Sequence, residues 1–279
     1  MKRVLAVVGV SALVSTAVAQ APLRIETPTL VWIPGGSFTQ GASDEDLAFA
    51  AQLCEDELEV EVPPTDDGRC DAGRFLLEAP ARRVFVATFG IDRTEVTQRA
   101  YRRCVAAGRC APSALSDRSD LAAPDHPVVG VRWTDAVDYC AFVGGRLPSE
   151  AEWEKAARGD DPARRFPWGR SYDSHLASHG RAPALEDDLD GYLRTAPVGA
   201  FPAGASPYGL LDLAGNAAEW TSDVPAMPIE LGVDLSASRT IRGGSYALPP
   251  TDLRVTARRF ATTDTAASDV GFRCAYDPS

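Results

Sequence analysis

The sequence predicts an α+β protein that folds as one loop-rich domain. Three short helical patterns and several short β patterns account for its regular signals. The 279 residues include 23 Gly and 21 Pro, which favours ordered but irregular backbone between those elements. No fixed-period repeat is visible, so solenoids and propellers are disfavoured.

Residues 1–19 have the pattern of a secretory signal peptide. Lys2 and Arg3 precede a short apolar run that closes on Ala17-Val18-Ala19, and this order predicts cleavage after Ala19. The run is too short and too rich in small residues to favour a permanent span, although an uncleaved membrane anchor is the alternative. We therefore expect a periplasmic or secreted protein without a membrane span after signal cleavage.

The chain is acidic, with 39 Asp and Glu against 28 Lys and Arg and a formal net charge of −11. Nucleic acid and anionic lipid repel a protein of this charge, and no cluster of basic residues offsets it. We expect no nucleic-acid partner, and the charge favours a cation instead. The sequence does not indicate an oligomeric state.

Residues 42–74 have the composition of an acidic insertion. They hold eleven carboxylates against two arginines, together with Cys54 and Cys70. Such a composition predicts a disordered loop, because too little apolar surface is available to offset the entropy of ordering. A disulfide between the two cysteines would supply its order.

Three segments predict helices, each with a capping residue at its start and glycine after its end. The first two are Thr97–Ala107 and Thr134–Val143. The third, Ser149–Arg158, carries a capping box in which Glu152 follows Ser149 by three residues.

Short β runs lie between Gly and Pro residues along the rest of the chain. We predict strands over Leu30–Ile33, Arg83–Phe89, Thr195–Val198, Thr240–Arg242 and Gly271–Ala275.

All six cysteines follow the signal peptide, and an even number in an exported chain predicts disulfides. Six cysteines permit fifteen pairings, but two pairs bracket short segments and the remaining two residues would join mid-chain to the C-terminus. The predicted pairs are Cys54–Cys70, Cys104–Cys110 and Cys140–Cys274. A thiolate metal site is the alternative, although no pair shows the two-residue spacing of such sites.

Several motifs follow one another in the order of a known protein family. They are Gly145-Arg-Leu-Pro-Ser-Glu-Ala-Glu-Trp-Glu154, Tyr208-Gly-Leu-Leu-Asp-Leu-Ala-Gly-Asn-Ala-Ala-Glu-Trp220, Arg242-Gly-Gly-Ser-Tyr246 and Gly271-Phe-Arg-Cys274. Over about residues 27–277 the chain resembles the formylglycine-generating enzyme (sulfatase-modifying factor) family. The resemblance implies a single domain with a loop-rich C-type-lectin-like fold, often stiffened by calcium. It also supports Cys140–Cys274, since a disulfide between these places recurs in the family.

One candidate calcium site lies in the segment 212–219. Calcium takes six to eight oxygen ligands, several of them carboxylates. Asp212 and Glu219 offer carboxylates, Gly215 and Ala217 offer carbonyls, and these positions match the residues that hold one calcium in family members. The alternative is that Asn216 and Glu219 only cap a turn beneath Trp220.

A second candidate calcium site is implied by the resemblance alone. It uses the carboxylate of Asp190 and the carbonyl of Tyr192, with further ligands around Ser178 and His179. Ser178 stands where relatives have asparagine, which weakens this site. An EF-hand over residues 186–197 is excluded, because the position of its bidentate acid is Pro197. A zinc site at His175 and His179 would require a helix that the surrounding residues do not favour.

The resemblance also bears on catalysis. Catalytic members use two cysteine thiolates to bind Cu(I) and oxidise a substrate cysteine to formylglycine, and Cu(I) requires soft ligands. At the matching positions this chain has Leu248 and Leu253, with Pro249-Pro250 between them. The sequence therefore argues against copper and predicts a pseudoenzyme with respect to this oxidation, while leaving open whether the protein is an enzyme of another kind.

Two functions follow from these observations. The first is an exported binding scaffold for a peptide, glycan or envelope ligand, held in a groove bordered by Trp220, Ser245 and Arg254. The alternative is an enzyme of the same fold with different chemistry, such as maturation of a protein or of a secreted peptide metabolite. In that case a small molecule would bind, and Ser245 or Tyr246 would assist proton transfer.

Overall fold

The computed structural model describes residues 29–61, 70, 72–180, 188, 190–225 and 234–278. The predicted signal peptide, residues 1–19, lies outside these residues. No helix in the described part is long and apolar enough to cross a membrane.

The described chain is a mixture of short strands, short helices and irregular backbone, as predicted. In chain order the strands are β1 (Leu30–Ile33), β2 (Gly36–Gln40), β3 (Arg82–Val86), β4 (Phe89–Asp92), β5 (Ala218–Trp220), β6 (Ser238–Arg242), β7 (Arg258–Thr262), β8 (Val270–Gly271) and β9 (Ala275–Tyr276). The α-helices are α1 (Asp44–Glu61), α2 (Gln98–Ala106), α3 (Trp133–Phe142) and α4 (Glu150–Arg158). Short 3₁₀ helices cover Ala72–Glu78, Pro202–Gly204 and Pro250–Leu253.

The strands form three small sheets within the described ranges. One has the order β1-β4-β9 and a second pairs β2 with β3, all antiparallel. The third has the order β7-β6-β5-β8, in which only β5 and β8 run parallel. The predicted strand Gly271–Ala275 is thus divided between two sheets, because residues 272–274 cross from β8 to β9. The residues of this crossing, Phe272, Arg273 and Cys274, are fully buried.

Two of the predicted helix starts are confirmed. The Thr97 hydroxyl accepts the Ala100 N–H at the start of α2, and Ser149 and Glu152 form the predicted capping box of α4. The start of α3 was assigned wrongly to Thr134. The Asp135 carboxylate instead accepts the backbone N–H of Arg132 at 3.0 Å, which starts the helix at Trp133.

Two strand predictions need correction. The run Arg83–Phe89 is two strands, since β3 ends at Val86 and β4 begins at Phe89 in another sheet. Thr195–Val198 is not a strand, because its backbone N–H groups bond a side chain and a loop carbonyl and not a neighbouring strand. The Ala196 N–H bonds the Asn216 amide oxygen at 2.9 Å and the Val198 N–H bonds the carbonyl of Asp125.

The described part of the acidic insertion is helical, so the prediction of a disordered loop is wrong there. The Ser43 hydroxyl and the Asp46 carboxylate each accept a backbone N–H from the other residue, which caps α1. Leu47, Ala50 and Cys54 are buried against Phe75 of the following 3₁₀ helix. The acidic composition hid this apolar face.

All three predicted disulfides are present. They join Cys54 to Cys70, Cys104 to Cys110 and Cys140 to Cys274. Since the sequence has six cysteines, every one of them is engaged. The Cys140–Cys274 bond ties α3 to the crossing between β8 and β9.

Two apolar clusters surround the sheets. In one, α2 and α3 pack on the four-stranded sheet through the rings of Tyr101, Tyr139 and Phe272, whose centroids lie 5.5–6.3 Å apart. In the other, α4 packs through Trp153 against Phe38 and Phe89.

Between these clusters runs a chain of buried charges. Arg242 at the end of β6 is completely buried and donates to Glu150 at 3.0 Å and to Glu154 at 2.7 Å. The Trp153 ring lies 5.2 Å from its guanidinium and donates its indole N–H to Glu219. Glu219 in turn holds Arg273 through both carboxylate oxygens. We call this set, Glu150, Trp153, Glu154, Glu219, Arg242 and Arg273, the buried ionic frame.

Removal of Arg242 is predicted to destabilise the fold strongly. Arg242→Met removes the central cation of two buried carboxylates and leaves them the longer contacts of Glu150 with Arg258 (3.2 Å) and of Glu154 with Arg158 (3.6 Å). Removal of one partner of a buried pair costs about 3–5 kcal/mol. Urea unfolding without reductant measures the loss. Arg99→Met is the matched control, because Arg99 pairs with Asp125 on the surface and such pairs contribute about 0–1 kcal/mol. Equal losses in the two variants would contradict this assignment.

Candidate functional site

The segment 242–254, which follows β6, carries most of the residues predicted to act on a ligand. Three of them, Trp220, Ser245 and Arg254, were expected to border a groove. The structure places all three side chains in the interior, with at most 2% of their surface exposed. In this arrangement they do not face solvent.

Each of these side chains has its own structural partner. The Trp220 indole donates to the carbonyl of Val131. The Ser245 hydroxyl donates to Asp269 at 2.9 Å. The Arg254 guanidinium forms two bonds of 2.8 Å to Glu78.

The alternative proton-transfer roles of Ser245 and Tyr246 gain no support from these contacts. Asp269, which accepts from Ser245, is also paired with Arg259 at 2.8 Å. The Tyr246 hydroxyl donates to the carbonyl of Ser268. Both side chains are therefore used in holding the segment in place.

The two positions matched to cysteines are apolar in their surroundings as well as in their identity. Leu253 is fully buried in a cluster with Phe166, Ala177 and Ala214. Leu248 is half-buried, and its carbonyl accepts the N–H of Gly180. Because all six cysteines form disulfides, the residues present do not fit a Cu(I) thiolate site.

The predicted ligands of the first calcium site are close in sequence but have different partners. Asp212 has a positive φ of 58° and accepts the Gly199 N–H at 2.6 Å. Gly215 lies against Ser178, and a Cβ there would lie 1.9 Å from the Ser178 carbonyl oxygen. The Ala217 N–H donates to Glu95.

Glu219 does not fit a calcium ligand in this structure. Both of its oxygens accept bonds from Arg273, and one also accepts from Trp153. Its charge is therefore already balanced by a buried guanidinium. Calcium ligation by Glu219 would require the buried ionic frame to rearrange.

The carboxylate that lies beside Asp212 is that of Glu95, which the sequence analysis did not select. Glu95 is buried, one of its oxygens accepts the Ala217 N–H, and its other oxygen has no hydrogen-bond donor in the described part of the chain. Burial first, and then the neighbouring Asp212 carboxylate, raise the pKa of Glu95 well above its ordinary value. Burial also raises the pKa of Asp212. Two adjacent buried carboxyls require a shared proton or a cation.

The fit to calcium is therefore partial. Within the described ranges, no group of three or more His, Cys, Asp or Glu side chains is arranged to hold a metal ion. The Glu95–Asp212 pair supplies two hard oxygen donors of the kind that calcium prefers. Glu95 and Asp212 lie 117 positions apart in the sequence, so no local motif indicated that they form a pair.

The residues of the second predicted calcium site are brought together by the structure. The Asp190 carboxylate accepts the N–H groups of Tyr192 at 2.8 Å and of His179 at 3.2 Å. The Ser178 hydroxyl is buried and has no partner in the described residues. Asp190 thus closes a turn here, and ligation of calcium by this set stays a prediction.

The two histidines considered for zinc have separate partners. The His179 ring contacts the Tyr172 hydroxyl at 2.7 Å and the carbonyl of Gly180. The His175 ring is exposed and contacts Asp173 at 3.2 Å. Neither contact favours a zinc site.

A cavity of about 400 Å³ lies next to Glu95. Its wall includes Asp92, Thr94, Thr97, Tyr139 and Leu211. Asp92 is buried, and its Oδ2 accepts the Cys274 N–H at 2.9 Å. The cavity thus combines carboxyl and hydroxyl groups with apolar side chains.

Comparison with known proteins gives consistent matches. Residues 14–278 match the family described as sulfatase-modifying factor enzyme 1-like domain. The formylglycine-generating enzyme of Bos taurus is 43% identical over 176 residues, which are 58% of this chain and 46% of that protein. The chain thus matches about half the length of this curated relative.

Two further matches cover nearly the whole chain. The inactive C-alpha-formylglycine-generating enzyme 2 of Mus musculus is 30% identical over 302 residues, which cover 90% of this chain and 86% of that protein. The structure of PvdO from Pseudomonas aeruginosa superposes with a TM-score of 0.64 at 26% identity, covering 89% of this chain and 94% of PvdO.

Calcium is predicted to stabilise the protein through Glu95 and Asp212. At a concentration one hundred times its Kd, a ligand that binds only the folded state adds about 2.7 kcal/mol, so thermal unfolding after EDTA treatment should shift upward by several degrees when calcium is added. Glu95→Gln and Asp212→Asn should lose most of this shift. Asp117→Asn, which changes an exposed acid, should keep it. A full shift in Glu95→Gln would exclude Glu95 as a ligand.

Stability in EDTA is predicted to fall with rising pH in part through Asp92. Burial raises the pKa of Asp92 from 3.8 to about 6, so its contribution is fully present below pH 4 and is lost as the pH rises through 6. Asp92→Asn removes this titration. The free energy of unfolding of the variant should therefore gain on that of the wild type between pH 4 and 7, by up to about 3 kcal/mol. A constant offset between the variant and the wild type over this pH range would contradict the raised pKa.

Proposed function

Because this chain belongs to the sulfatase-modifying factor enzyme 1-like family and lacks the thiols of its oxidase chemistry, we propose that it acts as a binding protein on that scaffold. The family and the loop-rich α+β fold predicted from the sequence are confirmed. The binding role on this fold is what we propose.

One observation carries the proposal. Leu253 is packed among apolar side chains, and all six cysteines are held in disulfides. A site that binds Cu(I) needs free thiolates on a backbone that can approach the metal. This chain supplies no thiolate at residues 248–253. The match over 90% of the chain to a relative named as inactive also supports a role without this oxidase activity.

The ligand would be a peptide, a glycan or another component of the cell envelope. The cavity beside Glu95 is the described space that could receive part of it, since hydroxyls and carboxyls there can orient polar groups. Calcium at Glu95 and Asp212 would stabilise the wall of that cavity. The side chains that contact the bound ligand would decide which peptide or glycan the protein recognises.

Export fits this role. The three disulfides are of a kind that forms and persists in oxidising compartments. We therefore propose that the protein works in the periplasm or outside the cell, where envelope ligands are found.

The first test is copper binding by the purified protein under anaerobic, reducing conditions that leave its disulfides intact. We expect no stoichiometric Cu(I) under these conditions and, in a separate assay supplied with oxygen, no conversion of a cysteine-containing peptide to formylglycine. Leu248→Cys with Leu253→Cys serves as the matched control, because it restores two thiols at the matched positions and should raise Cu(I) retention. One tightly held Cu(I) per wild-type chain, or turnover of the peptide, would overturn the proposal.

A further inference from the structure

The acidic insertion contacts the segment 248–254 through a single stripe of α1. Glu45, Phe49, Leu53 and Glu57 follow one another at intervals of four residues, which places them on one face of a helix. All four reach the same neighbouring surface. On the solvent side of the helix, the Gln52 amide only bonds Asp56.

The apolar contacts lie at the centre of this stripe. The Phe49 ring packs edge-on to Phe166 with centroids 6.2 Å apart. Leu53 packs against the same cluster, which contains Leu253. The Arg165 guanidinium lies 4.4 Å from the Phe49 ring and completes the contact.

Charged groups surround the apolar contact, and their signs are complementary. Arg165 pairs with Glu45 at 2.8 Å and with Asp46 at 3.2 Å. The Glu57 carboxylate accepts the backbone N–H of Thr251 at 2.6 Å. Carboxylates thus come from the insertion, and guanidinium and amide donors come from the surface below it.

The residues directly after the insertion continue the same pattern. Glu78 forms the bidentate pair with Arg254, and the Phe75 ring lies 4.9 Å from that guanidinium. The Cys54–Cys70 disulfide holds the two parts of the insertion together. We call the surface formed by Arg165, Phe166, Thr251, Leu253 and Arg254 the receiving surface.

We propose that the receiving surface is a docking site for an acidic amphipathic helix, and that α1 occupies it as a ligand within the same chain. Helix recognition by a groove uses apolar anchors at spacings such as i and i+4, which is the spacing of Phe49 and Leu53. Glu57 continues the same stripe one turn further. A partner with acidic and aromatic groups in this pattern would compete for the surface. The inference extends the proposed binding role by naming the chemistry of a protein partner.

Covalent connection explains why the surface is closed in the isolated chain. A tethered helix acts at a high effective concentration, so a free partner must first overcome it. Exposed ion pairs such as Glu45–Arg165 contribute little by themselves, which leaves the apolar anchors and the bonds of Glu57 to hold α1 down. Weakening these three anchors should open the surface without altering it.

The test measures binding of a fluorescent peptide with the sequence of residues 42–61, in which Cys54 is replaced by serine. The full chain carrying Phe49→Ser, Leu53→Ser and Glu57→Gln should bind this peptide at least 10-fold more tightly than the wild-type chain. A control peptide with the same three substitutions should bind at least 10-fold more weakly. The full chain with Gln52→Ala and Asp56→Asn, changed on the solvent side of α1, should behave like the wild type.

Hydrogen exchange shows whether the surface has opened in the variant. Amides of residues 251–255 should exchange faster while those of α3 and β6 stay protected. If the triple variant does not fold, Cys54→Ser with Cys70→Ser replaces it, because this change removes the disulfide that restrains α1 and leaves the stripe intact. Opened amides with no gain in peptide binding, or equal binding of the two peptides, would overturn the docking site. Copper binding plays no part in this experiment. Its result therefore tests the docking site alone, and the copper measurement tests the proposed function.

Discussion

The buried pairing of Arg242 with Glu150 and Glu154 is the interaction on which the rest of this structure depends. A guanidinium without solvent must be matched in charge and in hydrogen bonds, or its burial costs several kcal/mol. Here two carboxylates balance the charge, and together with the carbonyl of Val255 they accept hydrogen bonds from both terminal nitrogens of the guanidinium. The pairing joins α4 to the last residue of β6 and thereby fixes where the segment 242–254 begins.

The remaining members of the buried ionic frame extend this constraint to the C-terminus. Trp153 links Arg242 to Glu219, and Glu219 holds Arg273 beside the backbone carbonyls of Asp92 and Leu211. A fold with few regular elements can keep one arrangement when buried polar groups accept only one set of partners. Irregular backbone around residues 212–219 is ordered in this way.

Local signals in the sequence were sufficient for the elements whose ends are chemically marked. The caps of α2 and α4 could be read directly, because Thr97 and Ser149 act on N–H groups three residues away. Spacing was enough for the disulfides. The helix α1 was not predicted, because the eleven carboxylates of residues 42–74 give that segment the composition of a loop. Its apolar face is recognised only from its contacts with Phe75 and Phe166.

The candidate site shows the limit of local reasoning more sharply. Ser245 and Arg254 could be selected from the sequence. Their burial against Asp269 and Glu78 could not, because these contacts form only in the folded chain. Glu95 meets Asp212 only in the folded chain. Charge pairs of this kind depend on three-dimensional arrangement, and neither composition nor periodicity encodes it.

The central claim is that ion pairs and apolar packing, with no free thiol, hold the segment that catalytic relatives would use for copper. Alkylation of the fully denatured, unreduced protein followed by intact mass measurement tests this most directly. The account predicts no alkylated cysteine before reduction and six after it, since three disulfides engage all six residues. Two alkylated cysteines before reduction would contradict it and would reopen a thiolate site.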